Sequence, residues 1–253
     1  MAEEEQEIIL DRSLKNIKAQ AFHIRSTIDK NNLRQCLKET YQMLNELRTN
    51  KLTPKNYYHL FTASFDEMQH VSNYFKEEIR RGRRIKDLYG AVQQAKHILP
   101  RLYLLITTGA IYMESQVTAI KRIIFNLLQM VKGVQNPIRG LFTRYYLLKM
   151  IKDKLPDEGN EFETEDCNFK DTMDFILQNL DEMNRLWIRL STTNINEAKD
   201  KQIQDKERNE LKVLVGENVT RLSKLNGLKM DVYTNEVLPK LITIIIESKD
   251  TLS

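Results

Sequence analysis

Glycine, proline and cysteine are all scarce in this chain. Eight glycines and five prolines among 253 residues lie well below ordinary usage, which argues against many tight turns and for long helices. Two cysteines, Cys36 and Cys167, lie far apart and offer no disulfide framework; a reduced, cytosolic setting is the simplest expectation. A strong charge of one sign is missing as well. The 39 basic and 35 acidic residues leave a net +4, too balanced to predict nucleic-acid binding, which usually needs a strongly basic face. The most apolar run, residues 102–113, is shorter than the about 20 residues that span a bilayer and reads as a buried helix. The opening MAEEEQEIIL is acidic, with no apolar signal region.

Marks of catalysis are absent too. The glycines are scattered, so no phosphate loop is expected. His23, His59, His70 and His97 show no metal-ligand spacing with each other or with the cysteines. Acidic pairs such as Glu77-Glu78 and Asp157-Glu158 are common on helical surfaces and in loops, and no nucleophile elbow occurs. The chain is therefore read as a non-enzyme with no cofactor and no metal.

What the chain does have is helical periodicity. Leu10, Leu14, Ile17, Ala21, Ile24 and Ile28 alternate spacings of three and four, which makes one apolar stripe. Leu33, Leu37, Leu44 and Leu47, with Tyr41 nearby, make a second. Asp29, Asn31 and Asn32 between them suit a turn or an N-cap. Thr53-Pro54 and Asn136-Pro137 each place a capping residue before a proline at the first helical position. Met173, Ile176, Leu177, Leu180, Met183, Trp187 and Leu190 form another stripe. Leu211, Leu214, Val215, Val219, Leu222 and Leu225 form the next, and a last one covers residues 232–246.

No apolar–polar alternation marks a strand. The expected fold is all-α, with helices over 6–29, 32–50, 54–80, 84–98, 100–115, 118–133, 137–154, 168–191, 197–225 and 230–249. Helix pairs recur at roughly the 40–47-residue pitch of HEAT-like arrays, so the architecture expected is a HEAT-like α-solenoid of antiparallel helix pairs. It is expected to form a single module over 1–253. Two polar stretches interrupt it: an acidic loop at 155–168, expected to be mobile, and a linker at 191–210 whose second half reads as an exposed helix extension.

Two segments call for more than packing. EIRRGRRIKD, residues 78–87, is the most basic. Gly82 within it is expected to end a helix, and the cations beside it complement the macrodipole there; the alternative is a contact for phosphate groups on a membrane or an acidic partner. KHILPRLYLLITTGAIYM, residues 96–113, sets a proline and an arginine at the head of the apolar run. Pro100 either kinks one long helix or starts a new one. If it starts one, Arg101 in the first turn opposes the macrodipole, at a cost of about 0.3–1 kcal/mol. A helix this apolar is covered on most sides, either by its own chain or by a partner.

PRLYLL at 100–105 resembles the hallmark motif of the vacuolar protein sorting-associated protein 35 family, the large subunit of retromer. LNELRTNKLTPKNYYHLF at 44–61, GVQNPIRGLFTRYYLL at 133–148, LPDEG at 155–159, MDFILQNLDEMNRLWIRL at 173–190 and LVGENVTRLSKLNG at 214–227 are similar, in order, to that family's N-terminal region. The resemblance implies an α-solenoid scaffold of a coat that retrieves cargo from endosomes to the Golgi or cell surface. It implies cytoplasmic localisation, peripheral on endosomal membranes. It also implies that Pro100, Arg101, Leu102, Tyr103 and Leu104 bind the arrestin-fold subunit, vacuolar protein sorting-associated protein 26, with sorting nexins and cargo tails near that junction. From position and charge, Arg80, Arg81, Arg83, Arg84 and Lys86 are candidates for a membrane or nexin contact. The rival reading is a free-standing helical-repeat protein that binds acidic peptides or nucleic acid through the same basic run. Family members are several times longer than this chain, and VLPKLITIII at 237–246 is too apolar for a capping helix. An uncovered solenoid edge, self-associating or continued by further chain, is expected there.

Overall fold

Four helices begin at a residue whose side chain caps them: Asn32, Thr53, Asn136 and Asn168. The structure is a computed structural model that describes residues 2–115, 120–190 and 198–248. The chain falls into two compact units, Met1–Tyr112 and Met113–Ser253. Among the described residues there is no strand, and helices pack against near neighbours in sequence, the pairwise arrangement of an α-solenoid.

The first unit is built on α1 (Ala2–Asp29), α2 (Leu33–Asn45) and α3 (Pro54–Arg80), each in contact with the other two. The stripe on α1 goes inward, with Ile17, Ala21 and Ile24 buried. α1 ends in a Schellman turn. Asn31 N–H donates to Ile28 C=O at 2.9 Å, Asn32 N–H donates to Thr27 C=O at 3.0 Å, and Asn31 sits at φ 51°. Asparagine tolerates that left-handed conformation better than other residues with a Cβ. Asn32 then caps α2, its Oδ1 accepting from Gln35 N–H at 3.1 Å. Thr53 caps α3 in the same way, its Oγ1 accepting from Asn56 N–H at 3.4 Å, with Pro54 at the first helical position.

α3 ends as α1 does. Gly82, at φ 97°, donates to Ile79 C=O at 2.9 Å, and Arg83 N–H donates to Glu78 C=O at 3.0 Å. A β-carbon would be strained at that φ, which is why glycine ends this helix. The short α4 (Ile85–Gln93) and the apolar α5 (Ile98–Glu114) follow. A single helix over 84–98 was expected, but α4 stops at Gln93. Gln94–His97 form a connection, and α5 opens two residues before Pro100.

The second unit contains α6 (Ile120–Val131), α7 (Pro137–Ile151), α8 (Phe169–Arg189), α9 (Ala198–Leu222), α10 (Met230–Val232) and α11 (Leu238–Ser248). A π-helical turn at Tyr233–Val237 joins the last two. Asn136 caps α7, accepting from Arg139 N–H at 3.0 Å. α8 packs on α7 and α9, burying Met173, Ile176, Leu177, Leu180, Met183 and Trp187. Trp187 donates from Nε1 to Arg208 C=O at 2.8 Å, and the Arg208 guanidinium lies 3.8 Å from the indole centroid. The α9 stripe departs from expectation at one step. Asn218 is fully buried and Val219 is exposed, because Asn179 Nδ2 donates to Asn218 Oδ1 at 2.8 Å and so supplies the partner a buried amide needs.

The acidic loop at 155–168 is pinned, contrary to expectation. Asp157 is buried and accepts from the N–H groups of Asn226 at 2.9 Å and Gly227 at 3.1 Å. Thr172 donates to Pro156 C=O at 2.6 Å, and Lys229 pairs with Glu158 at 2.9 Å. Gly227 is required for space here, since a β-carbon would stand 2.5 Å from the Phe169 ring. Of the linker at 191–210, residues 191–197 lie outside the described residues, and the rest belongs to α9.

Candidate functional site

The start of α5 is fixed from the first unit. His97 N–H donates to the Tyr41 hydroxyl at 3.2 Å, and the two rings stack with centroids 6.1 Å apart. Arg101 N–H donates to His97 C=O at 3.2 Å and closes the first turn. Pro100, third in the helix, has no N–H to leave unpaired, so it fits the first turn without loss. Burial and the Arg48 and Lys96 charges hold the His97 pKa below its ordinary value.

Beyond that turn the helix disappears into the protein. Pro100 and every residue from 102 to 111 are buried. Leu102 is 5%, Tyr103 1% and Leu104 1% exposed, so these three are not an open docking face. Tyr103 packs on Phe61 with ring centroids 6.4 Å apart. Thr107 and Thr108 turn their hydroxyls onto Tyr103 C=O and Leu104 C=O, both at 2.9 Å. This is how two buried hydroxyls find acceptors inside an apolar environment. Of the two covers the sequence allowed for this helix, its own chain supplies the one seen. What remains open is the first turn: Ile98 is 63% exposed, and Arg101 is half-buried. The Arg101 Nε is itself buried and has no hydrogen-bond partner among the described residues.

The basic run is largely neutralised by neighbouring acids. Arg80 pairs with Glu77 at 2.6 Å, and Arg84 with Asp87 at 2.9 Å. Arg81 and Arg83 converge on the buried Glu78 at 3.4 and 2.8 Å. Arg81 also reaches across to Asn31 and ties the two Schellman turns together. Lys86 is exposed.

Sequence reasoning missed a groove that connects the two candidate segments. It has a volume of about 1270 Å³ and lies within the first unit, between the α1–α2 turn, α2 and the α4–α5 connection. Leu33, Leu37, Val92 and Leu104 contribute apolar lining, so one residue of PRLYLL forms part of its wall. Lys30, Arg34, Lys38, Arg83 and Lys96 supply the charge, with no carboxylate among the lining residues. The sequence held a clue. Leu37 belongs to the apolar stripe of α2 and Tyr41 lies near it, yet both stay half-buried while Cys36, Thr40 and Met43 are buried. The stripe divides because α2 packs on one side and forms the groove with the other.

Neither cysteine offers a nucleophile. Cys36 and Cys167 are free and buried, and burial pushes both thiols up to about 11. Among the described residues no group of three His, Cys, Asp or Glu could hold a metal ion, and no helix is long and apolar enough to cross a membrane.

Among the described residues, helices packed against their near neighbours and no strand define the class as an all-α protein of the α-solenoid kind. The family model for vacuolar protein sorting-associated protein 35 matches residues 9–253. The chain is 43% identical over 236 residues to vacuolar protein sorting-associated protein 35A of Arabidopsis thaliana, covering 93% of this chain and 30% of that protein. It is 40% identical to vacuolar protein sorting-associated protein 35 of Dictyostelium discoideum, covering 99% of this chain and 32% of that one. The protein of that name from Schizosaccharomyces pombe is 39% identical, over 96% of this chain and 29% of its own length. The chain belongs to the vacuolar protein sorting-associated protein 35 family, and it spans about a third of the length of these curated relatives.

Proposed function

We propose that the chain is the N-terminal scaffold module of a retromer large subunit, acting without catalysis in transport from endosomes to the Golgi or plasma membrane. Its partner in this reading is the arrestin-fold subunit, vacuolar protein sorting-associated protein 26, engaged through the PRLYLL segment. Sorting nexins and cargo tails meet it near the same junction, and it works in the cytoplasm, peripheral to endosomal membranes.

The supporting observation is the first turn of α5. Ile98 and Arg101 sit at the open end of a helix whose next ten positions are locked into the interior. An apolar side chain and a guanidinium lacking a partner at Nε, both on a rigid element, are what a specific partner can use. In this reading Leu102, Tyr103 and Leu104 hold that turn in place, and Arg101 makes the contact. Lys86 and the outer faces of Arg80 and Arg84 are the part of the basic run proposed to face a membrane or nexin.

Arg101→Ala tests this. Removing a cation from the first turn should leave stability unchanged or raised by a few tenths of a kcal/mol. Losing a desolvated charged contact should weaken the arrestin-fold subunit by about 2–5 kcal/mol. Calorimetric titration beside a thermal melt measures both. Normal binding by the variant, or an unfolded variant, makes Arg101 an internal structural residue and displaces the interface. Binding that weakens steeply with salt points instead to phosphate-driven contact through residues 80–86.

A further inference from the structure

We propose that the groove between the α1–α2 turn, α2 and the α4–α5 connection binds an extended segment of a partner protein in which acidic and apolar residues alternate. The charge is the first ground. Five cations line the groove and no carboxylate does. Arg83 is spoken for, since its Nε donates to the buried Glu78 at 2.8 Å. Lys30, Arg34, Lys38 and Lys96 have no carboxylate partner among the described residues. That contrasts with Arg80, Arg81, Arg83 and Arg84, each of which does.

The placement of these cations is the second ground. Arg34 is the second residue of α2, where a positive charge opposes the macrodipole, and no acid stands in that first turn. Arg34 and Lys38 are one helical turn apart, so two like charges stand side by side on one helix face. Neither feature helps the helix. Both make sense if an anionic occupant supplies the missing charge.

Geometry selects the kind of occupant. Arg34 and Lys38 are separated by about 6 Å along the helix axis. Alternate residues of an extended chain are about 6.7 Å apart and point the same way. Carboxylates at every second position of an extended peptide therefore keep step with this ladder. Lys96 on the α4–α5 connection adds a cation beyond α2. The half-buried Leu37 lines the groove beside them, which suits apolar residues between the carboxylates. That apolar lining has no use for a lone phosphate, which is why a peptide is favoured over a headgroup. This inference stands whether or not the arrestin-fold subunit is the partner at α5.

The experiment is fluorescence anisotropy with the full chain and a short labelled peptide of alternating glutamate and leucine. Its counterpart has glutamine at every glutamate position. The expected result is saturable binding of the acidic peptide that weakens with salt and falls at least tenfold in an Arg34→Glu, Lys38→Glu double variant. Lys96→Glu should weaken it as well, and Arg80→Glu, outside the groove, should not. A melt of each variant checks folding; the substituted side chains are all exposed. Equal binding of the glutamine peptide, or full binding by both groove variants, overturns the proposal. So does capture of the chain by phosphoinositide vesicles through Arg34 and Lys38 with no binding of the peptide, which would make the groove a lipid site.

Discussion

α5 and α11 are both rich in apolar residues, and the protein treats them in opposite ways. α5 reads ILPRLYLLITTGAIYME, and residues 102–111 are buried without a break. α11 reads LPKLITIIIES, and Ile242, Ile245 and Ile246 are 46%, 52% and 67% exposed. On α11 only the side toward α8 is partly covered. Leu177 and Ile244 line a cleft there, and Lys240 pairs with Asp174 at 2.8 Å. Apolar composition therefore states a demand for cover without saying who meets it. For α5 the folded chain does; for the outer stripe of α11 the described residues do not.

The contrast breaks most visibly under truncation. Leu104→Ala removes a fully buried side chain and should cost about 2–5 kcal/mol, the range for deleting a core leucine. Ile245→Ala removes a half-exposed one and should stay within about 0.5 kcal/mol of the parent, as for surface substitutions away from special features. Chemical unfolding of the two variants side by side measures the gap. Similar losses would mean that α11 is as well covered as α5.

Helix caps and stripes were readable because they are local. Asn32, Thr53 and Asn136 cap within three residues of themselves, and Gly82 ends α3 through bonds reaching back five residues at most. What could not be read depends on distant partners. The loop at 155–168 is held by N–H groups 69 and 70 residues away. Asn218 replaces Val219 in the interior because Asn179, 39 residues earlier, faces it. The groove lies between segments that composition treats separately, and its cations are spaced through the sequence as single residues. The run at 80–86 was conspicuous because its charges are adjacent, yet the acids that quench it are adjacent too. For PRLYLL the apolar run without a polar stripe foresaw cover from the chain itself or from a partner, and the resemblance supplied a partner. Only the structure separates the buried leucines and tyrosine from the half-open Arg101.

A second way to sharpen the comparison is association. Three isoleucines at spacings of three and four form one exposed stripe on α11, and contiguous apolar surface of that kind favours contact between molecules. The isolated chain should therefore self-associate as its concentration rises. Serine at Ile242, Ile245 and Ile246 together should reduce this with little change in the melt. Light scattering over a concentration series decides it. A parent chain that stays monomeric throughout would remove any demand for cover at α11.

The smallest expected effect comes from the same substitution on both helices. Thr108 on α5 is fully buried, with its hydroxyl donating to Leu104 C=O at 2.9 Å. Thr243 on α11 is exposed, with its hydroxyl donating to Pro239 C=O at 2.8 Å. The local bond is the same, four residues back along the helix, so burial is the difference between the sites. Valine keeps the branched shape and removes the donor. The accepting carbonyl can still be served by the helix ladder, so no acceptor is orphaned. At Thr108 a lost hydrogen bond, about 0.5–1.5 kcal/mol net, is opposed by no longer burying a hydroxyl. The two nearly cancel, and Thr108→Val should fall within about 1 kcal/mol of the parent. At Thr243 neither contribution is large, and stability should not move measurably. The exposed stripe beside it would gain a methyl group, so a slight increase in association is the expected sign. A loss of several kcal/mol at Thr108 would show that its hydroxyl serves more than its own helix.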